Sequence, residues 1–316
     1  FYTVWVQDAN FCTYQENIEI SEPNSLPDAS FTGLDLFYCI NNGDVTLVGS
    51  QAPYGVFSGP GIISQANGIA IFNPQQAGIG GPYTITYAYT SPQGCSNSSS
   101  QETEVYNIPN VSFTIINSEH CIDDPSVLLI GNHAPNGMFS GAGIVDNGDG
   151  TALFTPAAAG VGGPYSINYE YTDGNLCHNS STQYTSVNPL PLVSFSGLDS
   201  DYCVDALPVL LVGNHAPDGS FMGPGITDHG DGTATFDPGL AGIGSNLEIF
   251  YTYTNVYFCQ NQEYQTVNVH ALPFVSIFNL DLIYCANDED VMINGNPIPN
   301  GNSNGFFTGQ GITDLG

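Results

Sequence analysis

Eight cysteines carry the first chemical signal. Cys39, Cys121, Cys203 and Cys285 are each 82 residues apart, as are Cys95, Cys177 and Cys259, with Cys12 leading the second series at 83. Thiols at long, fixed intervals can oxidise to disulfides, whereas a zinc site requires Cys or His ligands much closer together. A disulfide framework implies an oxidising, extracellular location. Thiol titration is then expected to find few free groups beyond those whose partners lie outside this segment.

Other reactive residue types give less. His133 and His215 share one offset, in Gly-Asn-His-Ala-Pro, but Gln51 and Pro297 replace them in the other copies, so a turn or surface role is favoured over a ligand or base. Asp146-Asn147-Gly148-Asp149-Gly150 and Asp228-His229-Gly230-Asp231-Gly232 resemble part of a calcium loop. No bidentate Glu closes either, Ser64-Gln65-Ala66-Asn67-Gly68 stands in the first copy, and Asx-Gly pairs are ordinary hairpin turns. Asp146, Asp149, Asp228 and Asp231 are therefore only minor calcium candidates, the plain hairpin is favoured, and no other cofactor is expected. Asn97-Ser98-Ser99 and Asn179-Ser180-Ser181 match the glycosylation pattern and read as turns. Gly59-Pro60-Gly61 and Ala77-Gly78-Ile79-Gly80 also read as turns, because no Lys follows and no helix is expected to open there. No G-x-S-x-G elbow or H-E-x-x-H appears, so no residues carry a catalytic claim and no enzyme is expected.

Charge excludes whole classes of partner. The 316 residues contain no Lys or Arg and 30 Asp plus Glu, a formal charge of −30. Such a chain cannot neutralise phosphates, which excludes nucleic acid and anionic membrane surfaces. Lysine Schiff bases, P-loop lysines, arginine fingers and Lys-to-Asn isopeptide bonds are excluded too. No apolar run approaches the length of a membrane-spanning helix.

The elements that must position the cysteines repeat with them. Pro27, Pro109, Pro191 and Pro273 precede Ser30-Phe31, Ser112-Phe113, Ser194-Phe195 and Ser276-Ile277 at one offset. Three full units are expected at 28–109, 110–191 and 192–273, flanked by the last part of a preceding unit at 1–27 and the first part of a following unit at 274–316. The segment is thus expected to be a piece of a longer array. In the third unit seven strands are predicted: Val193 to Leu198, Pro208 to Gly213, Gly219 to Gly223, Ile226 to Asp228, Thr233 to Asp237, Leu247 to Thr254 and Glu263 to Val269. In the sixth, Leu247, Ile249, Tyr251 and Tyr253 alternate with Glu248, Phe250, Thr252 and Thr254, the signature of a half-buried strand. Seven short strands in about 82 residues without a helical period indicate an all-β tandem array of immunoglobulin-like β-sandwich modules.

The strings GVFSGPGI, GMFSGAGI and GSFMGPGI, then FNPQQAGIGGPYTITYAYT and FTPAAAGVGGPYSINYEYT, each followed by a Cys and a closing strand, carry a resemblance. They are similar to the tandem immunoglobulin-like or PKD-like modules of Bacteroidota surface proteins, which occur in secreted enzymes, surface adhesins and giant gliding-motility adhesins of the SprB kind. The resemblance implies type IX export, with a signal outside this segment. It implies a structural stalk or filament segment of a very large extracellular adhesin; the alternatives are a glycan- or cation-binding repeat module and a spacer for a secreted enzyme. The expected partners are neighbouring repeats of the same chain, other copies in a filament, or surface ligands. Joints such as Ser25-Leu26-Pro27 and Pro189-Leu190-Pro191 are too short and stiff for a flexible tether.

Two pairings of the cysteines stay open. Spacing alone pairs Cys39 with Cys95, Cys121 with Cys177 and Cys203 with Cys259, all 56 apart. Strand parity favours another answer. With an odd strand number, module termini lie at opposite ends, with a rise of roughly 35 to 45 Å per module. The first-turn cysteine then sits far from the last-turn cysteine of its own module, beyond the roughly 7 Å reach of a bridge, and faces that of the next module. This favours Cys39 with Cys177 and Cys121 with Cys259, leaving Cys12, Cys95, Cys203 and Cys285 to partners outside the segment. One miscounted strand reverses the parity.

Overall fold

In the computed structural model, which describes residues 2–19, 26–296 and 305–315, alternating side chains on long strands bury one face against a second, shorter sheet, so the chain is all-β with successive immunoglobulin-like sandwiches. Two compact units divide it: Phe1–Ile116, Ser126–Ala158 and Tyr165–Tyr184 form one; Asn117–Pro125, Ala159–Pro164 and Thr185–Gly316 form the other. Residues 28–109, the span expected of the first repeat, fall whole in the first unit, and residues 192–273, the span expected of the third, whole in the second. Ser25 and Pro297 lie outside the described residues.

In the first repeat a hairpin sheet sets Phe37–Cys39, Ser96–Tyr106, Gly80–Thr90 and Val56–Ser58 side by side, and a short sheet sets Phe31–Thr32, Val45–Gly49, Ile69–Phe72 and Ile62–Ala66. Between them Leu47, Phe57, Ala70, Phe72, Ile85, Tyr87 and Val105 are buried. The third repeat has the same order in Asp201–Cys203, Gln260–His270, Gly244–Thr254 and Ser220–Met222, over Phe195–Ser196, Val209–Gly213, Thr233–Phe236 and Ile226–Asp228. Its core is Leu211, Phe221, Ala234, Phe236, Ile249, Tyr251 and Val269. Each fully buried Leu, Ile or Phe contributes about 1.5–3 kcal/mol.

A tyrosine locks each core. The Tyr87 hydroxyl donates to the Tyr54 carbonyl at 2.6 Å, Tyr169 to Asn136 at 2.7 Å and Tyr251 to Asp218 at 2.8 Å. The ring needs glycine beside it: a Cβ on Gly213 would stand 2.0 Å from the Tyr251 ring, and one on Gly219 2.3 Å from its hydroxyl. Burial raises the hydroxyl pKa of all three tyrosines above 10.0.

One expectation needs correction. The third repeat carries eight strands, as the first does; the extra one, Asp201–Cys203, is too short for alternation to reveal it, and in the second repeat Glu119–Cys121 takes its place while Phe113 makes only an isolated bridge to Gly131. Asp201–Cys203 runs parallel to Gln260–His270, with Cys203 level with His270, so it leaves the cysteine at the C-terminal end of that strand. The strand count is thus even, but because the extra strand runs parallel to the last one, the first-turn cysteine still lies at the far end of that strand from Cys259. Single helical turns, Pro74–Ala77, Pro156–Ala159 and Pro238–Ala241, each stop just before a glycine, so a helix ends and none opens at Ala77-Gly78-Ile79-Gly80. The first and third begin with an Asn73 or Asp237 side chain capping free backbone N–H groups and a proline in the first turn.

The flanking segments hold pieces of the same pattern. Tyr2–Gln7 pairs antiparallel with Thr13–Ile18, and Ser276–Phe278 with Asn294–Asn296. No helix of the described residues is long and apolar enough to cross a membrane.

Candidate functional site

The chemistry of this chain is concentrated at cysteine-bearing turns of two kinds. The first kind ends the long hairpins. Asp173 Oδ1 accepts from the backbone N–H groups of Asn175 and Cys177, both at 2.9 Å, and Leu176 takes a φ of +63°. Asn255 does the same for Tyr257 and Cys259, with Phe258 at +64°. Asp8 does so for Asn10 and Cys12, with Phe11 at +69°. At Cys95 the acceptor is Ser91 Oγ and Gly94 supplies the positive φ. A left-handed Leu or Phe costs roughly 1–2 kcal/mol, and the capping carboxylate or amide holds it in place. The turn thereby places each cysteine at the start of the second long strand, as with Cys177 before His178–Asn188.

The second kind follows the short parallel strand. The N–H of Cys39 donates to Asn42 Oδ1 at 2.7 Å and that of Cys121 to Asp124 Oδ2 at 2.9 Å, while the N–H groups of Asn42 and Asp124 return to the cysteine carbonyls. Cys285 has Asp288 in this role. At Cys203 the position is Ala206, which keeps only the backbone bond.

One turn of each kind meets in a disulfide. Cys39 is bonded to Cys177 and Cys121 to Cys259, with Cα separations of 5.6 and 5.5 Å. Each bond lies within one compact unit and joins residues of successive repeats. Pairing within a repeat is excluded by register. Cys39 is level with Tyr106 and Cys95 precedes Ser96, so the 11-residue strand Ser96–Tyr106 separates them by roughly 35 Å. Cys203 and Cys259 flank Gln260–His270 in the same way. Cys12, Cys203 and Cys285 are exposed thiols and Cys95 is half-buried.

Side chains of the long strand fasten the segment that leads into each repeat. Asn97 Nδ2, Ser99 Oγ and Gln101 Nε2 donate to the carbonyls of Pro27, Ala29 and Phe31 at 2.8, 2.6 and 2.7 Å. Asn179 and Gln183 reach Pro109 and Phe113, and Asn261 and Gln265 reach Pro191 and Phe195. The glycosylation-like asparagines are therefore strand residues with committed amides, a correction to their reading as turns. His133 and His215 also grip the lead-in. Their Nε2 atoms lie 2.8 and 2.7 Å from the carbonyls of Asn110 and Leu192, and their rings stack on Tyr171 and Tyr253 at 3.9 and 3.8 Å. The fastening residues recur at 82-residue intervals, the signal that could have found them.

The acidic loops follow hairpin chemistry. Asp149 Oδ1 accepts from the Thr151 N–H and hydroxyl, and Asp231 Oδ1 from those of Thr233. Asp146 and Asp228 end the preceding strands. Among the described residues, the metal-ligand types cluster as a threesome only at Cys121, Asp123 and Asp124, where the sulfur is already committed to a disulfide. Elsewhere, Asp201 is held down to about 2 by hydrogen bonds from His270, Ser200 and Asn268.

No family model matches the chain, and no curated protein matches it by sequence. Among solved structures it is similar to a Ca2+-stabilised adhesin with which an Antarctic bacterium binds ice, at 11% identity over 80% of this chain and 77% of that one, with a TM-score of 0.30. A 1.5-MDa bacterial ice-binding adhesin matches at 11% identity over 79% and 100%, TM-score 0.30. Murine CEACAM1b matches at 14% identity over 51% and 100%, TM-score 0.26.

Proposed function

We propose that the chain is a structural stalk or filament segment of a very large extracellular surface adhesin, used in gliding motility as the module resemblance implies. The observation that carries this reading is the pair of disulfides joining successive repeats. A covalent bond across a short linker opposes bending and separation there, which suits a part that transmits force. The lead-in contacts from Asn179, Gln183 and His133 restrain the same linker. Disulfides persist outside the reducing cytoplasm. The charge of −30 keeps neighbouring filaments apart by repulsion and leaves trypsin-like proteases nothing to cut.

Immunogold labelling of intact source cells with antibody against the 316-residue chain tests the reading. Label along filaments outside the envelope is expected. Label confined to the cell interior, or to a soluble secreted fraction with an enzymatic activity, overturns it.

A further inference from the structure

The two outer faces of a sandwich are solvent-facing, and the fold dictates little of what they carry. On the hairpin sheet of the third repeat, Met222 stands directly across from Phe250, and Phe250 directly across from Tyr264. Met222 and Tyr264 are 62% and 54% exposed, and the Phe250 and Tyr264 rings lie 5.8 Å apart. The three side chains form one row across three strands, about 10 Å long at the ordinary interstrand spacing.

The same row elsewhere is polar. In the first repeat it is Ser58, Thr86 and Ser100, with Thr86 and Ser100 hydrogen-bonded at 2.8 Å. In the second, Ser140 pairs with Asn168, which accepts from the Thr182 hydroxyl. The sandwich therefore closes without apolar groups here. At this row position only the third repeat is apolar, with Met222 and Tyr264 exposed and Phe250 half-buried, and an apolar row that the fold does not require is a surface with a use.

We propose that the Met222–Phe250–Tyr264 row is a binding platform for a neutral polysaccharide. Pyranose rings present C–H faces that pack against aromatic faces, and rim hydroxyls that need both donors and acceptors. The rows on either side supply both: Glu248 opposite Thr266, and Thr252 opposite Gln262. Charge decides among occupants. The chain is at −30 with no Lys or Arg, so an acidic polysaccharide or a second copy is repelled, while a neutral sugar feels no penalty. The proposal does not depend on the stalk reading.

The test is affinity electrophoresis of the oxidised 316-residue chain in gels cast with neutral polysaccharides: mixed-linkage glucan, glucomannan, xylan, dextran and galactan. Retardation by at least one is expected. The Phe250→Thr/Tyr264→Ser variant places in the third repeat the residues that the first carries, and should weaken that retardation tenfold or more. The Ser58→Met/Thr86→Phe/Ser100→Tyr graft on the first repeat of that variant should restore it. No retardation in any gel, or equal retardation of variant and parent, overturns the proposal. Self-association of the parent in sedimentation velocity that the variant loses, without sugar binding, also overturns it and assigns the row to contact between copies.

Discussion

The first and third repeats share an interior and differ outside it. Leu47, Phe57, Phe72, Ile85 and Tyr87 have Leu211, Phe221, Phe236, Ile249 and Tyr251 as counterparts, all buried. On the surface, Gln51 becomes His215, Phe37 becomes Asp201 and Tyr106 becomes His270. A ring pair at 5.9 Å between Phe37 and Tyr106 is thus replaced by a 2.8 Å contact between His270 and Asp201 at the same register. Packing constrains the inside because each core position touches many others. Outside, the cysteines and the long-strand amides that grip a linker, such as Asn97 and Asn261, are held to type while other positions vary, so differences between copies there report specialisation.

The sharpest way to break this comparison is to hollow both cores. Leu47→Ala and Leu211→Ala should each destabilise their own repeat by about 3–5 kcal/mol, to similar extents, in hydrogen exchange of the long strands. Values differing by more than about 2 kcal/mol would show that the interiors are not equivalent. Next comes a staple: Cys121→Ser with Cys259→Ser should lower stability in guanidinium by about 2–4 kcal/mol while the exchange of Ser96–Tyr106 stays unchanged. Unaltered unfolding curves would mean that the cystine adds nothing to the fold.

Smaller effects belong to the surface. His215→Gln, which gives the third repeat the residue of the first, loses the stack on Tyr253 and the bond to Leu192, and should cost about 1 kcal/mol in thermal unfolding. The least effect is expected in acid. Asp201 has a folded pKa lowered to about 2 from 3.8, so its contribution is present above pH 3.8 and is lost as pH falls through about 2. Carboxyl NMR should follow this titration, and Asp201→Phe should abolish it. A midpoint near 3.8 in the folded chain would show that His270, Ser200 and Asn268 do not hold the carboxylate.

Much of this was legible in the sequence because an 82-residue period multiplies every signal. The alternation at Leu247–Thr254 marked the long strand, and the cysteine series marked the turns. What escaped was short or polar. Asp201–Cys203 spans three residues, too few for alternation to show. Asn97, Asn179 and Asn261 recur in register, yet a side chain that bonds to the backbone of another segment is indistinguishable from a turn residue until the partner is known. His133 and His215 looked expendable because other copies lack them. Their role is to hold a linker carbonyl, which other side chains can share; in the first repeat Ser50 Oγ donates to Asp28.

The two cystine loops, from Cys39 to Cys177 and from Cys121 to Cys259, overlap between residues 121 and 177. Tension applied beyond residues 39 and 259 therefore has a covalent short cut. It crosses the first sulfur bridge, runs backwards through the second repeat from Cys177 to Cys121, and leaves by the second bridge. Roughly 220 residues lie between the outer cysteines and would extend to about 750 Å as a free chain, but the short cut limits them to about 200 Å even with every sandwich unravelled. The strand His178–Asn188 starts next to Cys177 and ends level with Cys121, so it lies along that reversed path. The extension available to such a segment is set by which cysteines are oxidised, and a reductant would raise its limit from about 200 Å to about 750 Å.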